Sequence, residues 1–407
     1  MRRRNVTNAA RKSIATTDRH NSGRAIAIIG GGIGGLTAAL AFARKGAQVT
    51  VYEQAPALTE VGAGLQITPN GARALFALGV GKAFAASGVT AEAVAPMDAL
   101  SGRQITQFDL TGQVPSYRFF HRAALIDILA RGCQAAGVDV RLGMRIADLE
   151  PDGSFSADGS RVRPDLTIGA DGLHSVVRPM LNKPAQPFFT GQVAWRAMIP
   201  VENPDPVARI WMAPGRHLVT YPVSPTRLNV VAVQERSTWA AEGWHHADDP
   251  GNLRKAFADC GWQVRAMLGD VTDCSLWGLF RHPVAQRWHG GTLAILGDAA
   301  HPTLPFLAQG ANLAMEDGYV LAACLAANDS VQDGLAAYQQ ARLARVTRAI
   351  NAATANARNY HLGGARALVA HTGLRAISRV APDLFLRRLS WLYDHDVTAQ
   401  NYQFAAA

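Results

Sequence analysis

The chain has 407 residues, 48% of them hydrophobic and 17% charged, the profile of a globular protein large enough for two domains. No run of about eighteen apolar residues occurs, which argues against a membrane span; Cys133, Cys260, Cys274 and Cys324 are scattered with no CxxC pair, which argues against a disulfide scaffold or a metal site and fits a reducing cytoplasm. The net charge is +9, but the only dense basic patch is Arg2, Arg3 and Arg4, so the excess favours steering of an anionic substrate or cofactor over nucleic-acid binding.

Residues 1–23 are polar and basic, lack the apolar core of a secretory signal, and read as a disordered extension, with an organelle-targeting peptide as the alternative. Arg24 to Ile29 reads as a short buried strand, Gly30 to Gly35 as a glycine loop, Leu36 to Lys45 as a helix and Ala47 to Tyr52 as a second strand, a βαβ opening. Gly71 to Leu78, introduced by Pro69 and Asn70, and Arg122 to Ala136 both read as helices. Between Gln192 and Val233 the pattern changes to β-rich stretches, Val193–Ile199, Val207–Met212, His217–Val223 and Leu228–Val233, which predict an antiparallel sheet. Leu293 to Leu296 is again strand-like and is followed by Gly297 and Asp298; Ala311 to Ala327 and Val331 to about Arg358 are helical, the latter carrying Arg342, Arg345 and Arg348.

Gly30, Gly32 and Gly35 form GxGxxG between a strand and a helix. The first glycine permits a tight turn, the second lets the backbone approach a pyrophosphate, and the third lets helix and strand pack closely, while the helix N-terminus offers N–H groups to the anion. Glu53, at the end of the second strand, is placed to accept hydrogen bonds from ribose hydroxyls. This fingerprint by itself leaves NAD and FAD open.

Two later segments separate them. Asp165 through Asp171 and Gly172 to Ser175 and Arg178 resembles the "DG" motif of flavoprotein aromatic hydroxylases, and Gly297-Asp298 through His301, Pro302, Pro305, Gln309, Gly310, Ala311 and Asn312 to Glu316-Asp317 resembles their "GD" motif. With the glycine loop, the three motifs stand in the family's order. Within the family, Val61 to Asn70, Ala194-Trp195-Arg196, Trp211 to Pro222 and Trp391 to Tyr393 resemble the branch of salicylate hydroxylase and 3-hydroxybenzoate 6-hydroxylase. The resemblance implies a Rossmann-like α/β FAD-binding domain with an inserted antiparallel β-sheet substrate domain and C-terminal helices. It implies FAD contacts at Gly30, Gly32, Gly35, Glu53, Arg122 and Asp171, a ribityl hydrogen bond at Asp298, and a helix N-terminus at Gly310, Ala311 and Asn312 facing the flavin pyrimidine. For Asp171 the local reading, a turn cap beside Gly172, stays open.

The expected organisation is an FAD-binding domain over 24–95, 118–185 and 276–330, a substrate domain over 96–117 and 186–275, and a C-terminal helical region over 331–407. On the substrate side, His217 and Tyr221 share one strand face about 13 Å apart, able to bracket a small aromatic ring. His217 suits removal of a phenol proton near neutral pH, though a strand histidine with a purely structural role is the competing reading. His301 is read as holding its loop, adjacent His245 and His246 as surface residues, and Trp195, Trp211 and Trp277 as core.

The function implied is hydroxylation of a small phenolic acid by O2 through a flavin hydroperoxide, with NADH or NADPH as reductant. A single GxGxxG means that the nicotinamide cofactor visits without a Rossmann domain of its own. The rivals are a flavin-dependent halogenase, disfavoured by Ala197 where W-x-W-x-I-P needs tryptophan, a ubiquinone-pathway hydroxylase, and a flavin-binding sensor without turnover. The oligomeric state is left open, a homodimer included.

Overall fold

The computed structural model describes residues 22–58, 64–236, 246–381 and 383–404; nearly all of the N-terminal extension, Val61, Gly62 and Ala63, and His245 lie outside the described residues. Ile- and Val-rich runs make the two strands of the opening unit, β1 (Ala25–Ile29) and β2 (Gln48–Tyr52), joined by helix α1 (Ile33–Arg44). They sit in a six-stranded sheet ordered His289–Gly290, Leu293–Ile295, Leu166–Gly169, β1, β2, Asp139–Arg141. All pairings are parallel except the antiparallel edge strand His289–Gly290. Strands buried on both faces read as continuous apolar runs, which is why they were visible in the sequence.

α1 begins three residues earlier than the composition predicts, because Gly34 and Gly35 belong to the helix and are there for contact, not conformation. A Cβ on Gly35 would stand 2.0 Å from the Gly30 carbonyl oxygen, and one on Gly34 would meet Leu296 at 2.8 Å. Gly30 itself has φ +105°, and a Cβ there would strike the Ala170 carbonyl at 2.4 Å. Packing therefore overrides the low helix propensity of glycine.

The second layer is an eight-stranded sheet built on Cys274–Arg281, Phe188–Pro200, Arg227–Glu235, Arg216–Ser224 and Val207–Ala213. These five are antiparallel, as the sequence pattern predicts. The sheet is not purely so: Ala93–Asp98, unrecognised in the sequence because Pro96 interrupts it, pairs parallel to Val207–Ala213. One face of this sheet carries Trp195, Trp211 and Leu218 into a core with Phe257, Val264 and Leu268. The opposite face turns toward the first domain, where Tyr221 and Val223 join the main core.

Two helices close the structure around a buried ionic network. Glu316 and Asp317 lie on Gly310–Ala327; Arg342 and Arg345 lie on Val331–Tyr360. Arg342 donates to Asp317 Oδ1 at 2.8 Å and to Glu316 Oε2 at 2.5 Å, and Arg345 donates to Glu316 Oε1 at 2.7 Å. Asn70 Nδ2 donates to the same Glu316 oxygen at 2.6 Å, tying in the helix Pro69–Ala77. Although burial alone raises a carboxyl pKa, Arg342 and Arg345 bring Glu316 down to about 2, and His301 and Arg342 bring Asp317 down to about 2.

Removing one partner of such a cluster leaves buried charge uncompensated, so Arg342→Met is expected to destabilise the fold by about 3–5 kcal/mol. Because both folded-state pKa values lie below the unfolded ones, the wild type loses this stability as pH falls from the ordinary carboxyl values of 4.5 and 3.8 toward about 2. Denaturant melts between pH 7 and 2 check both points. A variant with wild-type stability and an unchanged acid limb would show that the cluster does not hold the helices.

Candidate active site

The glycine loop, the DG segment and the GD segment converge at the C-terminal ends of β1, Leu166–Gly169 and Leu293–Ile295, where an open α/β sheet leaves its crevice. Here Gly32 differs from its neighbours: among the described residues a Cβ on it would meet nothing within 4 Å. Glu53 accepts from Gly31 N at 2.6 Å and from Ala55 N at 2.8 Å. A carboxylate has about four acceptor sites, so lone pairs remain for a ribose.

Asp171 takes the turn-capping role with one oxygen and leaves the other unengaged. One oxygen, Oδ2, accepts from Val176 N at 2.7 Å and caps the turn; the other, Oδ1, is buried with no hydrogen-bond partner among the described residues. Arg178 donates to the carbonyls of Ala299 and Pro283 at 3.2 and 2.7 Å, so it fastens the DG segment to the GD segment. Asp298 follows Gly297, whose φ of +57° makes the turn, and its side chain is exposed in the crevice although protein surrounds it. Burial raises its pKa, opposed by His301 and Arg122. Arg122 opens the helix Arg122–Ala135, and its guanidinium is in turn stabilised by Asp298.

Gly310 starts the helix Gly310–Ala327, so the N–H groups of its first turn lack intrahelical acceptors and its positive dipole end faces outward. The Asn312 side chain is committed elsewhere: Oδ1 accepts from Thr68 N at 3.0 Å, and Nδ2 donates to Gln66 O at 3.0 Å and Ala308 O at 2.7 Å. Any ligand contact of Asn312 therefore falls to its backbone, as for Ala311. His301 is paired with Asp317 at 2.5 Å and holds its loop. The open Gly32, the unspent Asp171 oxygen and the helix N-terminus fit an elongated anionic dinucleotide with polyhydroxyl arms.

Beyond the GD loop lies the inner face of the eight-stranded sheet. Strand alternation puts Val193, Trp195 and Ala197 in the distal core and sends Ala194 and Arg196 to the other side. Through the register Arg196↔Val231↔Val219, the Arg196 side shares its face with His217 and Tyr221, two residues either way along the next strand but one. Ala194, Val233, Trp277 and Phe306 make this face apolar. Arg196 lies over the Trp277 ring at 4.9 Å, and burial lowers its pKa to about 10 while leaving it a cation at neutral pH. Trp277, expected in the core, is buried but on the site side, whereas Trp195 and Trp211 are core and bond Asp248 and Thr220.

His217 is 2% exposed, and burial, then His361, push its pKa well below the usual value, so it is a neutral base. Tyr221 is buried against Phe119 at 5.3 Å, and burial raises its pKa despite Arg196, so it is a neutral phenol. Sequence reading missed Arg196, His361 and Phe306. Arg196 carried a signal, a charge in a strand with both faces apolar; His361 carried none, being 144 residues from its partner.

Comparison with known proteins identifies the family. Residues 24–353 match the FAD binding domain family. The chain is 34% identical over 354 residues to 3-amino-4-hydroxybenzoate 2-monooxygenase of Streptomyces cremeus, covering 83% of this chain and 88% of the relative. It is 31% identical over 404 residues to 3-hydroxybenzoate 6-hydroxylase 1 of Aquipseudomonas alcaligenes, covering 94% and 100%. In fold it matches a salicylate hydroxylase substrate complex with a TM-score of 0.76 at 23% identity, over 93% of this chain and 97% of that one. The Rossmann-like domain with its added sheet is thus the fold the motifs implied, and the chain belongs to the FAD-binding-domain family as an FAD-dependent, NAD(P)H-consuming monooxygenase.

Proposed function

We propose that this enzyme hydroxylates a small aromatic acid bearing a phenol, held between the GD loop and the inner face of the eight-stranded sheet. The observation that carries the reading is a buried cation, Arg196, on the same apolar sheet face as a neutral imidazole, His217, and a neutral phenol, Tyr221. An apolar slot with one fixed cation suits an aromatic ring carrying a carboxylate, and it disfavours an uncharged quinone precursor. The flavin, when bound, supplies the redox and oxygen chemistry. The protein supplies the rest: Arg196 anchors the carboxylate, Tyr221 fixes ring orientation, and His217 takes the phenol proton to make the ring electron-rich. Gly32, Glu53, Arg122, Asp171, Asp298 and the N–H groups of Gly310, Ala311 and Asn312 hold the cofactor in this reading. The four cysteines, all free and buried, are compatible with a cytoplasmic setting. The deciding experiment is NADH and NADPH consumption against a panel of hydroxybenzoates and hydroxynicotinates with product identification; no stimulated consumption and no hydroxylated product would defeat the proposal.

Gly32→Val should fold, since a Cβ there meets none of the described residues, yet emerge colourless, whereas Gly35→Val should fail to fold because its Cβ collides with Gly30. Circular dichroism together with chromatography of the released cofactor separates the two. Asp298→Ala should retain the fold and weaken FAD binding tenfold or more, the worth of a charge-assisted hydrogen bond of about 1.5–3 kcal/mol. Fluorescence titration with unchanged affinity would remove Asp298 from the cofactor site.

His217→Ala should still bind FAD and accept electrons from NAD(P)H, while hydroxylation slows by about 10²–10⁴-fold and reduced flavin leaks to hydrogen peroxide. Raising pH toward the substrate's phenol pKa should restore part of the rate, because solvent then makes the phenolate. Wild-type coupling and an unchanged pH profile would make His217 a structural strand residue.

A further inference from the structure

A base buried in a closed site must return its proton to water, and His217 has a route. Its Nδ1 lies 2.7 Å from Nε2 of His361, and Nδ1 of His361 lies 2.7 Å from Oε1 of Glu235. The chain of contacts runs outward: His217 is 2% exposed, the His361 side chain 3%, and the Glu235 side chain 54%. Three elements meet to build it. Strand Arg216–Ser224 brings His217, strand Arg227–Glu235 ends on Glu235, and the 30-residue helix Val331–Tyr360 is capped by His361. The backbone fixes the junction, since Gly215 N donates to the His361 carbonyl at 3.1 Å and Glu235 N donates to the Gly215 carbonyl at 2.8 Å.

We propose that His217, His361 and Glu235 form a proton wire that carries the phenol proton of the bound acid from the buried site to solvent. The inference rests on the phenolic substrate proposed above and adds its path of proton exit. Glu235 sets the direction. As a carboxylate it can only accept, so His361 carries its hydrogen on Nδ1 and presents a lone pair at Nε2. His217 must then donate from Nδ1, which leaves the lone pair on its Nε2 for the substrate. In the transfer, the phenol O–H bond breaks as N–H forms at His217 Nε2. The His217 Nδ1 proton passes to His361 Nε2, the His361 Nδ1 proton passes to Glu235, and Glu235 releases it to water. Each imidazole gains one proton and loses one. Running the wire backward, with a proton entering at Glu235, reprotonates the product phenolate and restores the starting tautomers.

The surroundings favour neutral imidazoles as relays. Burial lowers the pKa of both histidines, against Glu235 which raises that of His361. A transient cation on His361 is stabilised by Glu235 and by the negative end of the long helix. The other titratable groups nearby leave the wire intact. Tyr360, 5.1 Å from the His217 ring, is held protonated by burial with a pKa of about 12. Arg216 is engaged by Asp259, and Arg236 lies over Trp195 at 4.8 Å.

Two measurements on the FAD-loaded protein test the wire. The first needs no substrate: nitrogen-15 NMR of labelled histidine, with His217→Ala and His361→Gln to assign signals. The expected result is hydrogen on Nδ1 of both rings in the wild type. In Glu235→Lys, whose ammonium can only donate to His361, both should switch to Nε2. Unchanged tautomers in Glu235→Lys, or Nε2–H on His217 in the wild type, would overturn the proposal. The second mixes enzyme with 3-hydroxybenzoate, or whichever panel acid the wild type turns over, in weak buffer and follows phenol red by stopped flow. Proton release should slow about tenfold or more in Glu235→Gln and His361→Gln, recover in Glu235→Asp, and lose its neutral-pH profile, with FAD affinity unchanged. Equal release rates in all variants would overturn the wire. If no panel acid is accepted, the functional reading falls, and the tautomer measurement still decides the wiring.

Discussion

The buried cluster of Glu316, Asp317, Arg342 and Arg345 is the constraint on which the rest of the architecture depends. Its four charges sit where isolated ions would be prohibitively costly, so they persist only because each is matched. Satisfying them fixes three things at once. The long helix is held against Gly310–Ala327, the helix Pro69–Ala77 is tied in through Asn70, and Asp317 Oδ2 receives Gly297 N at 3.0 Å and His301. The turn that presents Asp298 is thereby clamped from behind. The far end of the same long helix delivers His361 to His217 on the inner face of the eight-stranded sheet, so one ionic contact in the interior sets the position of groups at both the GD turn and that face.

The eight-stranded sheet solves a different problem, that of being buried on both faces while only one is chemical. Alternation along Phe188–Pro200 gives Trp195 to the distal core and Arg196 to the site, and along Arg216–Ser224 it gives Leu218 to the core and His217 and Tyr221 to the site. The polar groups on the inner face have partners or aromatic surfaces: Arg196 has Trp277, His217 has His361, and Tyr221 packs on Phe119. Polar groups already held by such contacts meet the condition for electrostatic preorganisation.

Much of this was legible in the chain. The β1–α1–β2 unit, the four central strands and the GD turn follow from apolar runs and glycine spacing, because local backbone demands leave local marks. What escaped notice had non-local causes. Ala93–Asp98 joins the sheet through a partner more than a hundred residues away despite Pro96. Glu316-Asp317 was visible as motif and Arg342 and Arg345 as helix charges, but nothing in their spacing said that they meet. Asn312 sat in the motif expected to face the flavin, yet its side chain proves to bridge backbone from Gln66 to Ala308, a role that depends on a strand almost 250 residues earlier. Arg196 was within reach, since period-two alternation already placed it opposite Trp195.

The strand order of the six-stranded sheet also bears on how the chain matures. β1 has β2 and Leu166–Gly169 as neighbours, and Leu293–Ile295 completes the crevice on the far side of Leu166–Gly169. At about 5–20 residues per second, roughly a quarter of a minute to a minute separates synthesis of Gly30 from that of Asp298. From the synthesis of Gly169 until that of Leu293, the second half of that interval, the nascent chain exposes an apolar strand edge at Leu166–Gly169 and half a nucleotide crevice. Cofactor capture therefore belongs to the end of translation, and a ribosome that stalls before Leu293 releases a polypeptide with an open, aggregation-prone edge and no means of turning yellow.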